Sequence, residues 1–220
     1  MKRQRPSYKG KSSRPVKRQK TAQQTKMLAA LSASEKKYHD MTLNQDANTT
    51  PVVTPLSSFA TGDSVILRDG NKVLFKTVHI KVRLTNNALT QSNVVRFVLV
   101  VDKLAQAEQC LWGTASSVAD VFDAETVVAR RSILSAERFV VLMDEVITLN
   151  AMSGTGGAAS MAYFERYVKV PMSVSLVAWS GSSATIPVKN AFSLMYLSST
   201  PAGISDVSVE GTVRVRWCDK

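Results

Sequence analysis

Between residues 63 and 217 the hydrophobic positions recur with a two-residue period in short stretches. In VLFKTVHIKVRLT (73–85), Leu74, Val78, Ile80, Val82 and Leu84 share one face, and Thr77, His79, Lys81 and Arg83 share the other. VSVEGTVRVRW (207–217) sets Val207, Val209, Val213, Val215 and Trp217 against Ser208, Glu210, Thr212, Arg214 and Arg216. VVRFVLVV (94–101) is almost continuously apolar, the pattern of a strand covered on both sides. Further strands are predicted over 64–68, 138–149, 162–170, 173–179 and 190–198, rich in Val, Phe, Tyr and Trp. That makes eight. MSGTGGAAS (152–160), SGSSAT (180–185) and STPAGIS (199–205) supply turn chemistry between them.

Helix is scarce. A short one is predicted over 27–39, where Ser32 and Glu35 have capping-box spacing. A second is predicted over SSVADVFDAE (116–125), with Val118, Val121 and Phe122 free to pack. It lies inside a 103–137 connection too long to be without structure of its own. Many short strands with one long crossing predict an all-β chain, an eight-stranded antiparallel jelly-roll sandwich behind a disordered basic N-terminal arm. The immunoglobulin Cys…Trp…Cys spacing, which would mark a rival sandwich, is missing. The expected organisation is an arm over 1–26, a connector over 27–62 and a shell of strands over 63–220.

Charge changes this picture. The chain carries 28 basic and 17 acidic residues, a net charge of +11. Lys2, Arg3, Arg5, Lys9, Lys11, Arg14, Lys17, Arg18, Lys20 and Lys26 lie in the first 26 positions, with no acid among them. Residues 27–220 therefore hold eighteen basic against seventeen acidic side chains and are nearly neutral. Such asymmetry points to a polyanionic partner. Pro6, Pro15 and Gly10 keep the arm from folding on itself, so it can follow an irregular phosphate chain, with counterion release supplying affinity. Tyr8 is the one aromatic there that could stack on a base. KRQRP (2–6) and RPVKRQK (14–20) also have the form of a bipartite nuclear import signal, which host import receptors would read.

Little else carries chemistry. His39 and His79 are the only histidines, and His79 sits on the polar face of a strand, where a solvated or interfacial role is expected. Asp144 and Glu145 are adjacent on a strand, so they point to opposite faces and cannot cooperate as acid and base. No Lys-Ser or Lys-Thr follows Gly154, Gly156 and Gly157, so the phosphate-loop signature is missing. Cys110 and Cys218 have no metal-ligand spacing and are expected as two free thiols. No enzymatic activity, cofactor or metal is expected. The longest apolar run is too short for a membrane span, and no membrane partner is expected.

Three stretches, taken in order, resemble a known family. NKVLFKTVHIKVRLTNN (71–87) is followed by NVVRFVLVVDK (93–103), a strand ending in Asp102. SSVADVFDAE then precedes ERFVVLMDEVITLN (137–150), where Arg138 and Phe139 lead a strand through Leu142 and Asp144. The set resembles the single-jelly-roll capsid proteins of circular single-stranded DNA viruses that encode a replication initiator. It is also similar to satellite necrosis virus coat proteins and, more distantly, to geminivirus coats. The resemblance implies a T = 1 shell of sixty copies with the arms inward, packaging single-stranded DNA. Such a protein would be found in the virion and, during assembly, in the host nucleus.

Two other function classes fit part of the sequence. A monomeric nuclear single-stranded nucleic-acid-binding protein would show aromatic stacking platforms on a sheet face. A sugar-binding jelly roll with an unrelated tail would bind glycans without residues 1–26.

Overall fold

The computed structural model describes residues 36–87, 91–105, 112, 120–151, 160–181, 184–200 and 207–219. Regular structure among them is all strand: β1 Lys36–Ala47, β2 Val52–Pro55, β3 Lys72–Asn86, β4 Asn93–Asp102, β5 Phe139–Leu149, β6 Ser160–Lys169, β7 Leu176–Trp179, β8 Pro187–Lys189, β9 Ala191–Ser198 and β10 Val207–Asp219.

The six-stranded sheet runs β1-β10-β3-β7-β8, with β6 beside β3, and the four-stranded sheet runs β2-β9-β4-β5. Every pairing is antiparallel. The pairs are nested: β1 with β10, β2 with β9, β3 with β6 and β7, and β4 with β5 as the innermost hairpin. A long two-stranded ribbon rolled so that its pairs alternate between two packed sheets is a jelly roll.

The main core lies between the sheets. Val73, Phe75, Val78, Ile80, Val82 and Leu84 of β3 meet Val95, Phe97, Leu99 and Val101 of β4 and the inward Val residues of β10. At one end Phe59 stacks on Trp217 with ring centroids 4.6 Å apart, and Phe75 meets Phe192 at 4.7 Å. The remaining side chains of β4 explain its unbroken apolar run. Val98 and Val100 face the other way, into a second cluster with Trp112, Val121, Phe122 and Phe139. The described part of the 103–137 connection, Trp112 and residues 120–137, thus covers the outside of the four-stranded sheet.

Gly211 of β10 leaves no room for a side chain against β3. A Cβ there would lie 2.2 Å from the Lys81 carbonyl oxygen and 2.8 Å from Val82 Cα, backbone atoms that cannot swing aside. Gly211→Ala should destabilise the fold by about 1–3 kcal/mol through strain in this ladder. An unchanged urea midpoint would show that the sheet relaxes freely.

The structure corrects four expectations. Among the described residues there are ten strands rather than eight: the region expected as a helix and connector holds β1 and β2, Pro187–Lys189 adds β8, and 64–68 is not a strand. The inward positions of β1 include Lys37 and His39, so its alternation is invisible to a hydrophobicity reading; residues 27–35 of the expected helix lie outside the described residues. The sandwich therefore starts by Lys36, and 36–62 belongs to it rather than to a connector. Residues 64–68 form a turn, closed by the Leu67 amide donating to the Ser64 carbonyl and by a bridge from Thr61 to Arg68. Finally, residues 120–125 are not helical. The Phe122 amide donates to the Trp112 carbonyl and Ser132 N to the Val121 carbonyl, so Val121 and Phe122 pack as part of an irregular cover. Residues 116–119 lie outside the described residues.

Candidate functional site

The ten cations Lys2, Arg3, Arg5, Lys9, Lys11, Arg14, Lys17, Arg18, Lys20 and Lys26 lie outside the described residues, as does Cys110. Cys218 is a buried free thiol. Among the described residues no group of three or more His, Cys, Asp or Glu could hold a metal ion.

One outer face is covered and the other is open. Over the four-stranded sheet, Arg96 forms a fork on Asp144, with Nε to Oδ1 and Nη2 to Oδ2 both 2.7 Å. The same guanidinium lies 4.4 Å from the Phe122 ring and donates to the Ala129 carbonyl, which fastens the 120–138 segment down. At the far ends of β4 and β5, Arg138 makes a second fork on Asp102 at 3.0 and 2.7 Å. Both side chains are buried, 6% and 4% exposed. Asp144 and Glu145 do point apart, since Glu145 accepts from Arg166 at 3.0 Å on the other side of β5.

The open face is the outside of the six-stranded sheet. In the register of β1, β10, β3 and β6, Tyr38, Arg216, Thr77 and Lys169 form one row and Asp40, Arg214, His79 and Tyr167 the next. Thr42, Thr212, Lys81 and Glu165 follow, then Asn44, Glu210, Arg83 and Tyr163. So the polar faces of 73–85 and 207–217, separate in sequence, are one surface. Its carboxylates are already engaged. Asp40 takes a fork from Arg214 at 2.6 Å, Glu210 pairs with Arg83, and Glu165 meets His79 Nε2 at 2.8 Å. The hydrogen bond from Arg214 holds the Asp40 carboxyl below its ordinary value of 3.8 and raises Arg214 in return. His79 is thus a half-buried strand residue with a carboxylate neighbour, and among the described residues nothing around it assembles a catalytic group.

At one end of the sandwich the buried Lys37 ammonium reaches Asp69 and Asp219, the latter at 3.1 Å. Burial pulls its pKa down, but the hydrogen bonds to the two carboxylates outweigh this and raise it above 10.5. A lysine raised on folding contributes stability in full below its unfolded pKa and loses it as pH rises through the folded one. The urea midpoint should therefore fall above about pH 10.5, and Lys37→Met should flatten that part of the curve. Next to it Arg68 lies 4.4 Å from the Trp179 ring and donates to the carbonyls of Gly70 and Ala184.

The chain is similar to several solved virus structures at low identity. A structure of empty-head turnip yellow mosaic virus is 12% identical over 86% of this chain and 82% of that one, with a TM-score of 0.39. Desmodium yellow mottle tymovirus gives 9% identity over 83% and 87%, with a TM-score of 0.30. The Gx strain of infectious bursal disease virus gives 10% identity over 83% of this chain, with a TM-score of 0.34. This chain spans only 32% of the length of that one. With TM-scores below 0.5 these likenesses carry no argument by themselves. No curated protein matches the sequence. A family model does, that of the satellite tobacco necrosis virus coat protein, and the match runs over residues 8–215, which takes in both sheets and most of the basic N-terminal stretch. The chain belongs to the satellite tobacco necrosis virus coat protein family.

Proposed function

We propose that this capsid protein closes into a T = 1 shell of sixty copies and packages single-stranded DNA through the cations between Lys2 and Lys26. The observation that carries the reading is the partition of charge. Ten cations and no acid occupy residues 1–26, while the remainder is nearly neutral. A wall of packed subunits is best nearly neutral, since self-repulsion grows with net charge. A phosphodiester cargo needs concentrated cations. The two demands are met by separate segments. Sixty arms would bring about 600 positive charges to the lumen, enough to offset a substantial part of a small genome.

The fold supplies what a wall requires. Two sheets share an apolar core, and the four-stranded sheet is covered on both sides. Val128, Ile133 and Leu134 stand out from that cover, Ile133 at 91% exposure, and a neighbouring subunit would cover them. The import-signal reading of residues 2–20 fits assembly in the host nucleus, with import receptors as transient partners.

Sedimentation of the purified chain, with nuclease treatment of its extracted cargo, tests the proposal. The expected result is closed particles whose nucleic acid is destroyed by DNase and resists RNase. A chain that stays near its 24.0 kDa monomer mass at every concentration would favour a monomeric nucleic-acid binder instead.

A further inference from the structure

The open face of the six-stranded sheet has a composition that a plain solvated wall does not need. Tyr163 and Tyr167 project from β6 on the same side, at 79% and 55% exposure, four residues and therefore roughly 13 Å apart. Tyr167 has the Arg216 guanidinium 6.0 Å from its ring centre and the His79 ring at 6.0 Å. Lys169 and Lys81 lie in the rows on either side of the Tyr167 row, and among the described residues neither is in an ion pair. The face's carboxylates Asp40, Glu165 and Glu210 are engaged by Arg214, His79 and Arg83. A further carboxylate, Asp46 near the end of β1, accepts from the Ser208 hydroxyl at 2.9 Å; around Tyr167 what remains for a visitor is cationic and aromatic.

We propose that this face is a second docking surface for single-stranded nucleic acid. Bases stack on Tyr163 and Tyr167, while Lys81, Lys169 and Arg216 meet the phosphates. Exposed aromatic rings between cations are what single-stranded nucleic acid uses, because each base has a flat π-face whatever its identity. An apolar neighbour would leave these cations unpaired. Position supports the same occupant. Residues 1–35 join β1 at Lys36, in the strand that carries Tyr38 in the row of Arg216 and Lys169. Three strand spacings, roughly 14 Å, separate β1 from β6. Nucleic acid gathered by the N-terminal cations is thereby tethered to β1, a strand of this sheet.

The inference rests on the reading of residues 1–26 as the packaging segment, and the test separates the two. The full chain is assembled with an iododeoxyuridine-substituted oligothymidylate, irradiated and peptide-mapped. Affinity for the same oligonucleotide is measured at high salt, where the purely electrostatic contribution is weak. Cross-links on Tyr163 and Tyr167 are expected. Tyr163→Ala should weaken binding by about 5- to 150-fold while Tyr163→Phe binds normally. Lys81→Ala with Lys169→Ala should make the log–log salt slope about 1.4 units shallower. Cross-links confined to residues 1–35, with unchanged affinity in Tyr163→Ala/Tyr167→Ala, would overturn the face and leave the packaging reading standing. Loss of assembly in that variant with unchanged oligonucleotide affinity would also overturn it, by making the face a contact between subunits. If the unaltered chain failed to bind the oligonucleotide, both readings would fall.

Discussion

Changing the ten cations between Lys2 and Lys26 to glutamine is expected to give closed particles that sediment as empty shells and contain no nucleic acid. The substitutions all precede the described strands, which begin at Lys36. Its stability comes from the apolar core and from ion pairs within the described residues, so thermal unfolding should be unchanged. Affinity is another matter. For a single strand the log–log salt slope is about −0.7 per phosphate neutralised, so ten contacts give about −7. With ten cations removed, binding to oligothymidylate should lose nearly all of that slope, leaving the shallow remainder from the folded domain. The ratio of absorbance at nucleic-acid and protein wavelengths in gradient-purified particles reads the packaging directly. Normal packaging by the glutamine variant would sink the division of labour between arm and wall.

The second large effect concerns Asp102. Its carboxylate and the Arg138 guanidinium form a buried fork, and Asp102 Oδ1 also accepts from the Leu104 amide at 3.1 Å. Asp102→Ala leaves the guanidinium without its counter-charge where water has little access. Breaking such a pair costs about 3–5 kcal/mol. In urea the midpoint should fall accordingly. Asp102→Leu combined with Arg138→Met should recover most of the loss, because apolar replacement of both partners removes the stranded charge. A double variant as unstable as Asp102→Ala would mean that packing at this corner, rather than charge, is what matters. The pair joins the end of β4 to the start of β5 and so frames the segment that displays Val128, Ile133 and Leu134. Asp102→Ala particles should therefore also be less stable to dissociation.

Asp102 and Arg138 illustrate how much could be read ahead of the fold. Both were legible as ordered features of a family, one closing a strand and one opening the next. Their contact was not, since 36 positions separate them and only the β4–β5 register brings them together. β3 and β10 were legible because their inward positions are nearly all apolar. β1 was not, because Lys37 is inward and is made tolerable by Asp69 and Asp219, residues far along the chain. The segment at 64–68 misled in the opposite direction. Val65 and Ile66 look like strand residues but are substantially exposed in a turn.

By itself the sequence determined the all-β character of the chain, the double-sided burial of β4 and the confinement of excess charge to the first 26 residues. These follow from composition and from a two-residue period, which depend only on neighbours along the chain. Only the tertiary structure decided that the polar faces of β3 and β10 form one surface, that Tyr163 and Tyr167 stand on it, and that its carboxylates are already engaged. Those facts depend on strand register and pairing. The free energy that sets register comes from burying one side of every strand at once, and no local stretch contains it.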